Sequence, residues 1–172
     1  MLLTLTIALA AFLPEVWALL LAVVFTIAKI FYPTRFFHNL PELLIYAGLA
    51  AVFAPVLNIL SISILLIILS VYDMIAVWKT KHMITMAKFQ AKQRIFAGLY
   101  IPYGKKAAIL GGGDIGFPLL FNAVLLREWG FAAGMLGGIC ASIALLLLLL
   151  LSKKNMFYPG MPFLAAGFFV AL

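Results

Sequence analysis

Long apolar runs alternate with short polar stretches along the chain. Several of these runs approach the roughly 20 residues that an α-helix needs to cross a bilayer. Apolar positions within them are continuous, whereas a transmembrane barrel would alternate apolar and polar residues along each strand. The pattern therefore predicts an all-α, polytopic helical membrane protein with about seven hydrophobic segments. These are segments A (1–13), B (16–31), C (43–57), D (62–78), E (107–126), F (131–151) and G (161–172).

Residues 1–172 are predicted to form a single membrane domain. Residues 1–78 hold segments A–D, residues 79–106 form a basic loop, and residues 107–172 hold segments E–G. The two terminal segments, A and G, are too short to span a bilayer. At about 1.5 Å per residue, neither of them reaches across about 30 Å of hydrocarbon. Both are therefore expected to be truncated, as in a fragment of a longer protein or in a reduced core.

Composition favours a membrane location over a soluble fold. Hydrophobic residues make up 67% of the chain and charged residues 10%, against about 25% charged residues in soluble domains. We therefore assign the net charge of +7 to membrane topology, and predict a lipid bilayer but no nucleic acid as a partner. The single cysteine, Cys140, allows no internal disulfide, and no His, Cys and acidic cluster has metal-ligand spacing. We predict no metal and no other cofactor.

The basic residues predict the orientation. Eleven of the 12 lysines and arginines lie in the connections B–C, D–E and F–G, and seven of them lie in residues 79–106, which contain no acid. Arg127, beside Glu128, is the remaining one. By the positive-inside rule these three connections, including loop 79–106, face the cytoplasm.

The polar residues outside the apolar segments are expected to be solvated. Loop 79–106 is interpreted as a solvated loop that sets the topology, with an amphipathic surface helix as the alternative. His38 and His82 are expected to lie in polar loops, and Glu42 at the end of a helix. In segment F, Gly134 and Gly138 form a small-xxx-small pair that predicts helix packing. Asn122 in segment E is interpreted either as a polar contact or as a helix-packing residue.

The only two aspartates, Asp73 and Asp114, lie inside apolar segments. A carboxylate in a bilayer is unfavourable by roughly 3 kcal/mol and indicates a functional site. Each is expected on the order of 10 Å from the cytoplasmic surface. Segments D and E are consecutive and antiparallel, so the two carboxylates can face each other. As an alternative, each aspartate is a proton or ion site in a carrier or leak channel.

Two adjacent carboxylates share a proton, and their titration belongs to the pair. The charged member can activate a water while the other protonates a carbonyl oxygen or a leaving amine. This is peptide hydrolysis without a metal or a covalent intermediate. Gly111, Gly112 and Gly113, just before Asp114, allow a substrate backbone to approach closely, although helix packing alone also favours such residues.

Tyr72-Asp73 in segment D and Gly-Gly-Gly-Asp at 111–114 together resemble the motifs of the presenilin and signal peptide peptidase family of GxGD intramembrane aspartyl proteases. The family places YD in one membrane helix and GxGD in the next. Ser-Val-Tyr-Asp at 70–73 and Leu-Gly-Gly-Gly-Asp-Ile at 110–115 are most similar to presenilin and its archaeal homologues. The resemblance implies a presenilin-like fold, a catalytic pair of Asp73 and Asp114, and transmembrane helices of other proteins as substrates.

The family's third motif, Pro-Ala-Leu, has a partial counterpart in Pro162-Phe163-Leu164. Phe163 stands where the family has alanine, and its bulk is expected to narrow the substrate cleft. The resemblance implies that these three residues, with Tyr72, shape the site. Pro162 also suits the first turn of a helix, since it has no N–H to leave unpaired.

Three rival functions remain open. A prepilin or preflagellin peptidase is also a GxGD enzyme, but usually has a basic residue soon after the aspartate, where this chain has Ile-Gly-Phe at 115–117. A carrier usually shows internal repeats, which this chain lacks. The third is an inactive remnant.

We expect an active enzyme to work alone or as a homo-oligomer. Its unwound substrate is expected to pair with an exposed strand edge, either in the loop beyond Asp73 or just before Pro162.

Overall fold

A computed structural model describes residues 1–31, 34–79, 97–103, 106–151 and 158–172. These residues form seven helices and one two-stranded antiparallel sheet. The elements are α1 (Leu2–Ala10), α2 (Glu15–Phe31), α3 (Arg35–Phe53), α4 (Ile59–Trp78), β1 (Gly98–Tyr103), β2 (Lys106–Gly111), α5 (Gly113–Trp129), α6 (Phe131–Leu151) and α7 (Met161–Ala171).

The polytopic helical fold is confirmed. Among the described residues, three helical stretches are long and apolar enough to cross a membrane: Phe36–Phe53, Ile59–Trp78 and Phe131–Leu148. Met161–Ala171 is a shorter apolar helix. A lipid-exposed span must satisfy its backbone hydrogen bonds internally, so continuous apolar runs of this kind adopt helices.

Segment E differs from the prediction in its first residues. Residues 106–111 form β2, which pairs with β1 from Gly98↔Gly111 to Tyr103↔Lys106, and the helix begins at Gly113. Glycine has low helix propensity, so the Gly111–Gly113 run separates the strand from α5. Loop 79–106 therefore includes β1. The amphipathic helix considered for this loop, and His82, fall on residues 80–96, outside the described residues.

Helix α3 begins at Arg35, eight residues before the predicted start of segment C. Thr34 caps it: its carbonyl accepts from the His38 N–H at 2.9 Å, and its hydroxyl accepts from the Phe37 N–H at 3.4 Å. A threonine cap of this kind marks a helix start in the sequence. The predictions of a solvated loop for His38 and a helix end for Glu42 are wrong, because both side chains are buried within α3.

The described chain divides into two compact units. The first contains α1, α2, α3, β1, β2 and the part of α5 up to Leu120. Its apolar core lies between the first three helices, where α1 packs on α2 and α3. The core residues are Leu5, Leu9, Ala18 and Ala22, with partly buried Phe25, Leu44 and Ile45 against them.

The second unit contains α4, the part of α5 from Phe121, α6 and α7. The Phe121 and Phe168 rings pack with centroids 4.6 Å apart, and both are buried. A Cβ added to Gly134 would lie 3.0 Å from the Leu126 Cβ, so this glycine lets α6 approach α5 closely, in line with the predicted packing role.

Arg127 and Glu128, at the end of α5, form hydrogen bonds with the connection between α3 and α4. The Arg127 guanidinium donates to the backbone carbonyls of Ala54 and Leu57, and pairs with Glu128 at 3.0 Å. Asn58 caps α4 by accepting from the Ser61 N–H at 2.7 Å. These bonds satisfy backbone groups where one helix ends and the next begins.

Gly167 is expected to be essential for packing of α7. A Cβ there would lie 2.8 Å from the Cys140 carbonyl oxygen and 2.9 Å from the Ala144 Cβ, neither of which is a flexible side-chain end. Gly167→Ala should therefore lower the free energy of unfolding by about 1–3 kcal/mol. Thermal melting in detergent measures this. Gly138→Ala is the control, since its Cβ would meet Asn122 at an ordinary 3.7 Å. Equal melting of the two variants would contradict the packing argument.

Candidate functional site

Asp73 is buried in α4, with 3% of its surface exposed. Its Oδ2 accepts a hydrogen bond from the Met161 N–H at 3.1 Å, and the Gly160 amide also interacts with this carboxyl. Met161 is the first residue of α7, where helical N–H groups lack intrahelical partners and the helix dipole favours negative charge. Among the described residues the Oδ1 atom has no hydrogen-bond partner. One carboxylate oxygen is thus anchored and the other is available to a further donor.

The Pro162-Phe163-Leu164 stretch follows directly from this contact. Pro162 occupies the first turn of α7, as its missing N–H predicts. Leu164 is buried, and Phe163 is 36% exposed. The residue that contacts the carboxyl is Met161, which the sequence interpretation did not single out. The site-shaping roles of Pro162, Phe163 and Leu164 remain predictions.

Tyr72 lies next to Asp73 in α4, but its side chain is 63% exposed. Consecutive helical residues point about 100° apart, so a buried carboxylate beside an exposed ring is the normal geometry of a helix. The role of Tyr72 as a site-shaping residue remains a prediction.

Asp114 lies in the first turn of α5 and is partly exposed. The Gly112 carbonyl accepts from the Gly116 N–H at 2.8 Å, and this bond lies at the N-terminal end of the helix. A Cβ added to Gly111 would lie 3.5 Å from the Asp114 Oδ2, so Gly111 is next to the carboxyl. A helix N-terminus is a favourable place for an anionic side chain.

The three glycines before Asp114 have different surroundings. A side chain at Gly112 would overlap the Tyr46 hydroxyl, whereas Gly113 is exposed and Gly111 has room for a Cβ. The Gly112 N–H donates to the Ala97 carbonyl at 3.2 Å. Close packing thus explains why position 112 needs a glycine, while access for a substrate backbone remains the prediction for all three glycines.

A buried polar network in the first unit was missed by the sequence interpretation. Lys29 of α2 forms an ion pair with Glu42 of α3, and both are buried. Lys29 is therefore helical and paired, and does not count toward the charge of the B–C loop. The signal was present in the sequence, because a lysine inside an apolar helix is rare unless it has a partner. In the described ranges, no group of three or more His, Cys, Asp or Glu residues is placed to hold a metal ion.

The helical spans define the class as an integral membrane protein, and one of these spans, α4, carries the buried Asp73. Residues 1–111 match the family model described as signal-peptide peptidase, presenilin aspartyl protease. The match covers well over half of the chain, so the protein belongs to this family of intramembrane aspartyl proteases, whose substrates are transmembrane segments. The matched range includes Tyr72-Asp73 and ends at Gly111, three residues before Asp114. Neither curated proteins nor solved structures gave a match.

Proposed function

We propose that this protein is a GxGD-type aspartyl endopeptidase that hydrolyses peptide bonds within transmembrane segments of other membrane proteins. The observation that carries the proposal is the family match over a range that contains the buried Asp73. Within this proposal, the motif context at 70–73 and 110–115 favours an enzyme of the presenilin type, similar to presenilin and its archaeal homologues. Family membership favours this function over a prepilin-type peptidase or a carrier.

Asp73 and Asp114 act as the catalytic pair in this proposal. One carboxylate is ionised and takes a proton from the attacking water, and the other donates its proton to the carbonyl oxygen or the leaving amine. The Oδ2 of Asp73 is anchored, and its Oδ1 has no partner within the part of the chain that the structure describes. Both features suit this role, because the first fixes the side chain and the second is available to water. Tyr72, the glycines at 111–113, and Pro162-Phe163-Leu164 shape the site.

The substrate has to unwind, because an intact helix shields its peptide bonds with its own hydrogen bonds. The freed backbone groups then pair with a strand edge. Strand β1 lies in the loop beyond Asp73, where such an edge was expected. In the described two-stranded sheet, β1 pairs with β2 along one of its two edges. The basic loops face the cytoplasm, so cleavage occurs near the cytoplasmic end of the substrate, and the enzyme acts alone or as a homo-oligomer.

Cleavage of a single-span substrate in liposomes tests the proposal. We expect two products whose masses place the cut inside the apolar span, and inhibition by a transition-state analogue of aspartyl proteases. In labelled water, one ¹⁸O atom should enter the new carboxyl group at first turnover, because water is the nucleophile.

A cut outside the span, beside a basic leader sequence, would instead identify a prepilin-type peptidase. Proton flux across the liposomes without any cleavage would identify a carrier. Either result would overturn the proposal.

A further inference from the structure

The buried ion pair of Lys29 and Glu42 lies in the first unit, on helices α2 and α3. The residues are 3% and 4% exposed. Charged groups within apolar helices are strongly disfavoured unless they are paired and hydrogen-bonded. Lys29 donates to one oxygen of the Glu42 carboxylate, which leaves the second oxygen for other donors.

That second oxygen accepts from two groups. The Tyr46 hydroxyl donates to it at 2.8 Å, and the Gly98 N–H donates to it at 3.3 Å. The His38 Nε2 lies 3.1 Å from the Gly98 carbonyl oxygen. Both backbone polar groups of Gly98 are therefore held by side chains of α3, and Gly98 itself has a φ of 151°, which few other residues adopt.

Gly98 and Tyr46 are linked to the turn that leads to Asp114. Gly98 pairs with Gly111 in the sheet, and the neighbouring Ala97 carbonyl accepts from the Gly112 N–H. The Tyr46 hydroxyl fills the space where a side chain at Gly112 would lie. The turn is thus fixed both through its backbone and by contact with Tyr46.

We infer that Glu42, held in place by Lys29, is a positioning residue that sets the backbone of the 111–113 turn and with it the orientation of Asp114. Its carboxylate accepts three donors from three separate parts of the chain, so it determines the distance between α3 and the start of β1. A displaced turn would misalign the Asp114 carboxylate. This inference rests on the proposed function for its effect on activity, but the positioning itself is a property of the fold.

Two double variants separate the hydrogen-bond acceptor from the buried charge. In Lys29→Met with Glu42→Gln, both charges are gone and a side-chain oxygen can still accept from Tyr46 and Gly98. In Lys29→Met with Glu42→Leu, both charges and the acceptor are gone. Neither variant leaves an unpaired charge, so both are expected to fold. Glu128→Gln, in a partly exposed ion pair, is the control for loss of a carboxylate.

Hydrogen exchange of the peptide covering residues 97–116 and cleavage kinetics are then measured on all three. We expect the Glu42→Leu double variant to exchange at least tenfold faster at this peptide than the Glu42→Gln double variant. Its kcat should be at least tenfold lower with KM within twofold, and Glu128→Gln should match wild type.

Equal exchange at residues 97–116 in the two double variants would overturn the inference, whatever the activity. Faster exchange with equal kcat would overturn its catalytic part. An inactive wild type would contradict the proposed function, while the exchange data would still decide the positioning role.

Discussion

Replacing Asp73 or Asp114 by asparagine is expected to abolish detectable cleavage. Asparagine keeps the size of the side chain but can neither hold the catalytic negative charge nor donate a carboxylic proton. Loss of a positioned acid or base typically lowers the rate on the order of 100-fold to 10,000-fold. The two members act on the same bond as a unit, so the double variant should be no worse than either single variant. Initial rates in liposomes, normalised to folded protein, measure the effect.

The control must show that these variants still fold. Asp73→Asn keeps an oxygen that can accept from the Met161 N–H, so its melting temperature should stay near that of wild type. Glu128→Gln removes a carboxylate that has no proposed catalytic role, and should retain activity. Normal cleavage by either folded aspartate variant would exclude the pair as the catalytic centre.

Gly112→Ala is expected to reduce cleavage far more than Gly111→Ala. The added methyl at 112 would overlap the Tyr46 hydroxyl and lie 3.0 Å from its Cζ, whereas at 111 it would sit 3.5 Å from the Asp114 Oδ2. The turn has to shift to accommodate the first methyl. Displacing a catalytic group by about 1 Å can lower the rate roughly 100-fold, and we expect a kcat loss of that order for Gly112→Ala.

Tyr46→Phe provides the matched test of this contact. Removing the hydroxyl relieves the worst overlap, so the double variant Tyr46→Phe with Gly112→Ala should recover part of the kcat that Gly112→Ala loses. Tyr46→Phe alone should lower activity, because it removes the hydrogen bond to Glu42. Such non-additivity is the signature of two groups in contact. If the effects of the two substitutions simply add, the Tyr46 contact does not limit the residue at 112.

The apolar pattern predicted the helices well where a segment is bounded by polar residues. Segment F coincides with α6, and segment G coincides with α7 to within one residue at its end. Errors arose where side-chain chemistry interrupted the pattern. Thr34 starts α3 well before the apolar run begins, and the glycine run at 111–113 converts the predicted first turn of segment E into a strand and a turn.

By itself the sequence determined the helical membrane class, and it located the two aspartates within apolar segments. It could do so because the backbone of a long apolar run in a bilayer must form its hydrogen bonds within the run itself, which favours a helix. The apolar composition of a run is therefore almost enough to identify a transmembrane helix. Only the tertiary structure decided that the Met161 amide holds Asp73, that Lys29 pairs with Glu42, and that Tyr46 fills the space at Gly112. When a segment is apolar on every face, its sequence pattern does not indicate which face contacts lipid and which contacts a neighbouring helix. The partners of these polar groups are therefore fixed by helix packing.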